Sequence, residues 1–188
     1  MTKETMQAEA TGHYLSKVVH VDDVPPKGLV GSVEAGLGAT AEIADALDLE
    51  RLHSLAFSFK ILPAGKNKYA LNGALEASLA QHCIVTLEPV EETLCVDVAL
   101  EFWPRDELER LEETAGDATA NLELDGPEPF DDGVIDIGEL VYEIFVSSLD
   151  PYPRKKGASL DWADSDIDAS EPLDSPFAAL KTLDSGKS

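Results

Sequence analysis

The side chains with the greatest chemical potential are two cysteines and four histidines, set among many carboxylates. Cys83 lies in QHCIVTLEPV (81–90), where one strand is expected to stop and the next to begin. Strand alternation places Cys83 on the apolar face of its strand and Cys95 on the opposite face of the next strand, so the simple arrangement cannot meet disulfide geometry. Only a bulge could restore that pairing. His82 and Cys83 also point to opposite faces, which leaves a zinc site short of ligands. The pattern favours a buried structural thiol at Cys83 and predicts no metal site.

Other motifs resemble ligand sites but lack essential parts. GLGATAE (36–42) has the spacing of a dinucleotide-binding turn, but antiparallel hairpins are predicted to follow it instead of βαβ units. DSDID (164–168) begins like a calcium loop, yet Ala169 and Ser175 stand where glycine and glutamate are needed. No serine lies in a nucleophile-elbow sequence. We therefore expect a protein that is not an enzyme and has no cofactor. A metal-dependent hydrolase using the acidic residues of 123–139 is an alternative that would require carboxylates converging in a pocket.

The charge of the chain restricts its partners. It has 37 acidic and 14 basic residues among 188, a net charge of −23. Such a field repels phosphate backbones and anionic membranes and attracts basic partners. The segment MTKETMQAEATGHYL has no apolar core typical of a signal peptide, and no apolar run approaches the length of a membrane span, so a cytoplasmic location is expected. PYPRKKG (151–157) is the one basic cluster; it could contact RNA phosphate, an acidic patch of its own chain, or solvent alone.

Hydrophobic periodicity predicts an α+β fold built on an antiparallel β-sheet. Apolar residues alternate over 55–61, 69–87 and 94–102, and the short connections between these runs predict a meander. Gly73, in the middle of the second run, predicts a bend or bulge. Further strands are expected near the N-terminus, within 14–24 and 28–35.

Two or three helices are expected to pack against this sheet. Thr40 is the predicted N-cap of a helix over 40–52. A better marked helix over 137–149 has Asp136 as N-cap and Glu139 in the position that completes a capping box.

Composition divides the chain into one domain with acidic flanking segments. Residues 1–12 are predicted to be a disordered lead and 13–160 a single domain. Within the domain, 105–133 is interpreted as a mobile acidic insertion, helical at first and loop-like through DGPEPFDDG. Residues 161–188 form an acidic tail that carries a short apolar motif, PFAAL (176–180), suited to docking in cis or in trans.

Three blocks together carry a resemblance to a known family: QHCIVTLEPV, DDGVIDIGELVYEIFVSSLDPYPRKKGA and SPFAALKTL. In order and spacing they resemble the YceD family, the large ribosomal RNA subunit accumulation proteins, in its alphaproteobacterial form. The similarity covers about 14–183. Many relatives carry C-x-x-C where this chain has Cys83-Ile-Val-Thr86, and the missing second thiol speaks against a metal or redox role shared with them.

The resemblance implies a cytoplasmic, non-catalytic protein needed for accumulation of the large-subunit (23S) ribosomal RNA. In related genomes its gene often lies beside that of a small, basic large-subunit ribosomal protein. Together with the charge, this favours a basic large-subunit ribosomal protein or a pre-ribosomal particle as the partner. Direct binding to ribosomal RNA, through PYPRKKG and the lysines at 60, 66 and 68, is the alternative. The family-motif or binding candidates are Gln81, Cys83, Thr86, Glu88, Pro89, Pro153, Arg154, Phe177 and Leu180.

Overall fold

Three long strands and three helices make up most of the computed structural model, which describes residues 14–115 and 126–159. In chain order the elements are β1 (Val18–His20), a 3-10 turn (Val21–Asp23), β2 (Leu29–Glu34), α1 (Leu37–Ala46), β3 (Arg51–Gly65), β4 (Lys68–His82), β5 (Pro89–Pro104), α2 (Arg105–Ala115), β6 (Glu128–Phe130), β7 (Val134–Asp136) and α3 (Ile137–Ser148).

The main sheet has five strands in the order β2-β3-β4-β5-β6. Its neighbours are antiparallel except for β5 and β6, which are parallel. A second, two-stranded sheet joins β1 to β7. The predicted α+β class and the predicted antiparallel meander of β3, β4 and β5 are both confirmed.

The core lies on one face of the main sheet. Phe57 and Phe59 of β3 direct their rings to this face, with ring centroids 5.8 Å apart, and both are buried. α1 packs against β3, and α3 packs against β1 and β4. The alternation of apolar residues that predicts the three strands is thus the alternation between this covered face and the opposite, more polar one.

Gly73 does not mark a bulge, so that part of the prediction is wrong. β4 stays in register with both neighbours there, with Gly73 opposite Phe59 on β3 and Val98 on β5. A Cβ atom at Gly73 would lie 2.5 Å from Cζ of Phe57. The glycine therefore makes room for an aromatic ring that lies across the sheet.

The first helix begins earlier and ends earlier than predicted. α1 has Gly36 as N-cap, and Thr40 lies inside the helix, where its hydroxyl donates to the carbonyl of Leu37 (3.1 Å). Leu52, which the helical spacing included, belongs to β3. The threonine hydroxyl bonds backward within the first turn instead of capping it, a common alternative for this residue.

The second predicted helix is confirmed with its cap. The Asp136 carboxylate accepts a hydrogen bond from the backbone N–H of Glu139 (3.0 Å), and α3 runs from Ile137 to Ser148. Ile137, Val141 and Phe145 are fully buried on its inner face.

The segment 105–133 contributes to the fold where the structure describes it. The helical start is confirmed as α2, but the loop predicted through DGPEPFDDG contains β6. Phe130 of β6 is buried and meets Tyr69 of β4 edge to face, with ring centroids 5.9 Å apart. Arg105 and Asp131 form a bidentate ion pair at 2.8 Å, which fixes α2 to the end of β6. Few apolar residues mark this strand, which is why periodicity missed it.

Candidate functional site

The Cys83 loop, residues 83–88, connects β4 to β5 and contains three of the candidates named from the sequence, Cys83, Thr86 and Glu88. The backbone N–H of Cys83 donates to the carbonyl of Glu88, and the N–H of Leu87 donates to the carbonyl of Cys83, both at 2.9 Å. Leu87 adopts a left-handed conformation (φ 59°) and is 75% exposed. The prediction that the strand continues to Leu87 with its side chain on the apolar face is wrong, because the chain turns directly after His82.

The segment that follows α3, residues 150–157, is hydrogen-bonded to this loop. The Gln81 amide Nε2 donates to the carbonyl of Asp150 (3.1 Å). The backbone N–H of Ile84 donates to the carbonyl of Pro153 (2.9 Å). Two sequence blocks about seventy residues apart are thereby joined at one end of the sheet.

The thiol of Cys83 lies at the centre of this junction. Its Sγ accepts a hydrogen bond from the backbone N–H of Lys155 (3.3 Å), and the side chain is 0% exposed. Both cysteines are free, Cys83 buried and Cys95 exposed, so the prediction that they form no disulfide is confirmed. The position of Cys83 differs in detail from the prediction, since the residue follows the strand instead of lying within it.

Hydrogen-bond donors around Sγ favour its ionised form. The N–H of Lys155, followed by the hydroxyl of Thr86, lowers the pKa of Cys83 from 9.0 to about 6, against the opposing effect of burial. Because Sγ is fully buried and accepts from the Lys155 N–H, it joins the 150–157 segment to the loop and is not exposed to solvent.

An exposed ion pair also connects the two sides of this junction at the protein surface. Lys155 Nζ lies 3.0 Å from Glu88 Oε2, and the ammonium group lowers the pKa of the Glu88 carboxyl. Of the alternatives left open for the basic cluster, Lys155 contacts an acidic residue of its own chain.

The structure brings together seven of the nine candidate residues. Gln81, Cys83, Thr86 and Glu88 belong to one side of the junction, together with Pro89 at the start of β5. Pro153, which is buried, and Arg154 lie on the other. Phe177 and Leu180 lie outside the described residues, as do DSDID and the tail.

Two hydrogen-bond partners in this junction were not predicted from the sequence, namely the carbonyl of Asp150 and the backbone N–H of Lys155. Every residue carries a backbone carbonyl and every residue except proline carries a backbone N–H, so no side-chain pattern could have identified these partners.

The residues of the junction do not form a metal centre in the part of the chain that the structure describes. Within 14–115 and 126–159, no group of three or more His, Cys, Asp or Glu side chains is placed to hold a metal ion. Gln81 is buried, and its Oε1 has no hydrogen-bond partner among the described atoms. The site is thus a hydrogen-bonded connection between β4, β5 and the segment after α3.

Comparison with protein families identifies the chain. An α+β protein with this thiol-centred junction matches the family model described as large ribosomal RNA subunit accumulation protein YceD, over residues 71–184. The match covers more than half of the chain, so the chain belongs to the YceD family. It includes both sides of the junction and begins within β4. Comparison with curated proteins and with solved structures gave no match.

Family membership connects the protein to accumulation of the large-subunit ribosomal RNA. In the described ranges, none of the helices combines the length and the apolar character needed to cross a bilayer.

Proposed function

We propose that this protein is a cytoplasmic ribosome biogenesis factor that supports accumulation of large-subunit ribosomal RNA by binding a basic large-subunit ribosomal protein. The observation that carries the proposal is the net charge of −23 in a family named for that RNA. A protein with this charge is repelled by free RNA and attracts basic ribosomal proteins, whose own charge must be shielded until they meet RNA.

Several basic side chains that could otherwise contact RNA already have acidic partners. Lys155, from the basic cluster, pairs with Glu88. Lys68 lies 2.8 Å from a carboxylate oxygen of Glu107 and stacks over the Trp103 ring. Both cations are thus already partnered by acidic residues of the same chain, which agrees with a partner other than RNA. The proposal assigns no catalytic step to the protein.

Affinity capture of the full chain from a lysate, with and without nuclease, tests the proposal. We expect mass spectrometry to recover one or a few basic large-subunit ribosomal proteins, in amounts that nuclease does not reduce. Recovery should fall as salt increases, because the attraction is electrostatic.

A variant with Arg154→Ser and Lys156→Ser serves as the control for RNA contact. Under the proposal this variant captures the same proteins as the natural chain. Loss of all ribosomal components on nuclease treatment, or their loss in this variant, would contradict the proposal and support direct contact with RNA.

A further inference from the structure

β5 presents a long open edge. It pairs with β4 along almost its whole length, whereas its pairing with β6 is confined to Phe102, Trp103 and Pro104. Over 89–101, no described residue pairs with its outer edge. Unpaired N–H and C=O groups along such an edge form a template for a further strand.

The prolines show which residues direct their backbone groups outward. In a parallel pair, a residue that hydrogen-bonds across the ladder does so with the two residues that flank its partner. Its N–H donates to the carbonyl of the residue before the partner, and its carbonyl accepts from the N–H of the residue after it. Phe102 would need an N–H from Pro129, and Pro104 has none to donate, so Trp103 makes the bonds to β6. Because the direction alternates, the odd-numbered residues of β5 also direct their N–H and C=O groups outward. Pro89 fits this pattern, since a proline in a strand is tolerated where its missing N–H would face the edge.

The core-facing side of β5 is incompletely covered. Val98 and Phe102 are buried, but Leu94, Val96 and Leu100 on the same face are only partly buried. These three side chains lie along the open edge. The side chains of a strand added at this edge would pack beside them on the same face of the sheet. Apolar residues at alternate positions of the added strand would complete this cover.

The charge of β5 is of one sign. Its sequence, PVEETLCVDVALEFWP, contains four acidic residues and no basic ones. Acidic side chains along an edge oppose pairing with a second copy of the same strand, because like charges would then face each other. They favour a strand that carries basic residues.

A pocket lies at the start of β6, beside the point where the open edge of β5 begins. It has a volume of about 420 Å³ and is lined by residues of β4 and β5 and by 126–128, among them the acidic residues Glu101 and Glu128. Two acidic residues beside the open edge agree with a basic occupant of that edge.

We propose that the edge of β5 from Pro89 to Glu101 binds an extended, basic segment of a partner protein as an added β-strand, with alternate apolar residues on the core-facing side. This inference rests on the proposed function, since it names how a basic ribosomal protein is held. Flexible basic segments of such proteins are well suited to this mode, because the main chain supplies the hydrogen bonds and the acidic edge supplies the selection for charge.

Two edge variants and two controls test the proposal in the full chain. Thr93→Pro removes an outward N–H without touching the ladder to β4, and Asp97→Lys reverses one edge charge. Thr93→Ala controls for the side chain. Asp45→Lys makes the same change in net charge on α1, which packs against β3, away from the edge.

The probe is a synthetic peptide in which Lys and Val alternate, compared with one in which Glu and Val alternate. We expect the Lys peptide to bind and to slow hydrogen exchange at the amides of Thr93, Cys95 and Asp97. Thr93→Pro and Asp97→Lys should each weaken binding by about tenfold or more, and the controls by less than about twofold. Asp97→Lys keeps the test decisive if Thr93→Pro fails to fold.

Four other results would contradict this inference or the proposed function, and each can be told apart from the rest. Slow exchange at the same amides in the free protein means that another segment of the chain covers β5 and overturns the proposal. A dimer that Thr93→Pro dissociates assigns the edge to a second copy and also overturns it. Capture of basic ribosomal proteins that neither edge variant weakens overturns this inference but leaves the proposed function intact. Edge binding of the peptide without any such capture contradicts the proposed function alone.

Discussion

At the scale of the residue, Cys83 combines full burial with a lowered pKa. The two properties conflict for an isolated thiol, because burial favours the neutral form. The N–H of Lys155 and the hydroxyl of Thr86 resolve the conflict by donating to Sγ. The hydroxyl of Thr86, three residues after Cys83, thus stabilises the ionised form of its thiol.

The lowered pKa predicts a pH-dependent role in stability. Because the thiol ionises more easily in the folded chain, its contribution is fully present above pH 9, decreases as the pH falls, and is lost below about pH 6. The difference in unfolding free energy between the natural chain and Cys83→Ser should therefore be larger at pH 9 than at pH 6. Urea denaturation at both pH values measures it.

Cys95→Ser, the same substitution at the exposed cysteine, provides the matched control for this measurement. An equal cost of Cys83→Ser at both pH values would show that Sγ carries no charge in the folded protein. Reaction with a thiol reagent offers a second check: Cys95 should react rapidly and Cys83 slowly in the folded chain.

Gly73 supports a prediction about packing. Gly73→Ala places a methyl group 2.5 Å from Phe57 Cζ and 2.7 Å from the backbone oxygen of Ser58, so it should destabilise the protein by about 1–3 kcal/mol. Gly38→Ala, in α1 with nothing within 4 Å, should be neutral or stabilising by up to about 1 kcal/mol. Thermal or urea denaturation compares the two variants. Equal effects would mean that Phe57 does not lie over Gly73.

At the scale of the element, the sequence predicts what depends on local periodicity and misses what depends on distant contacts. The strands of the meander and α3 follow from alternation and from the Asp136 cap. β6 could not be predicted, because its stability comes from Tyr69 and Arg105, which lie elsewhere in the chain. The hydrogen bond from Lys155 to Cys83 could not be predicted from the sequence either, since its donor is a backbone N–H.

The cap of α3 gives a test at this scale. Asp136→Ala removes the acceptor for the Glu139 N–H and should cost about 1 kcal/mol in unfolding free energy. Asp136→Asn retains an oxygen acceptor and should lose much less. Denaturation curves of the three proteins measure the difference, and equal losses in both variants would indicate that charge, not capping, is the contribution of Asp136.

At the scale of the whole molecule, charge is the dominant property. The chain belongs to a family named for ribosomal RNA, yet its net charge is −23. This charge opposes direct binding to RNA and favours binding to a basic protein. In our proposal, the open, acidic edge of β5 is the place where that partner binds, and the junction around Cys83 joins the adjacent end of the sheet to the segment after α3.

The most direct measurement is a side-by-side titration of the purified full chain with basic large-subunit ribosomal proteins and with fragments of large-subunit ribosomal RNA, at low and moderate salt. The account predicts binding to at least one ribosomal protein, weakened by salt, and no measurable binding to the RNA fragments at either concentration. Binding to RNA with affinity that falls steeply with salt, and none to the proteins, would contradict it.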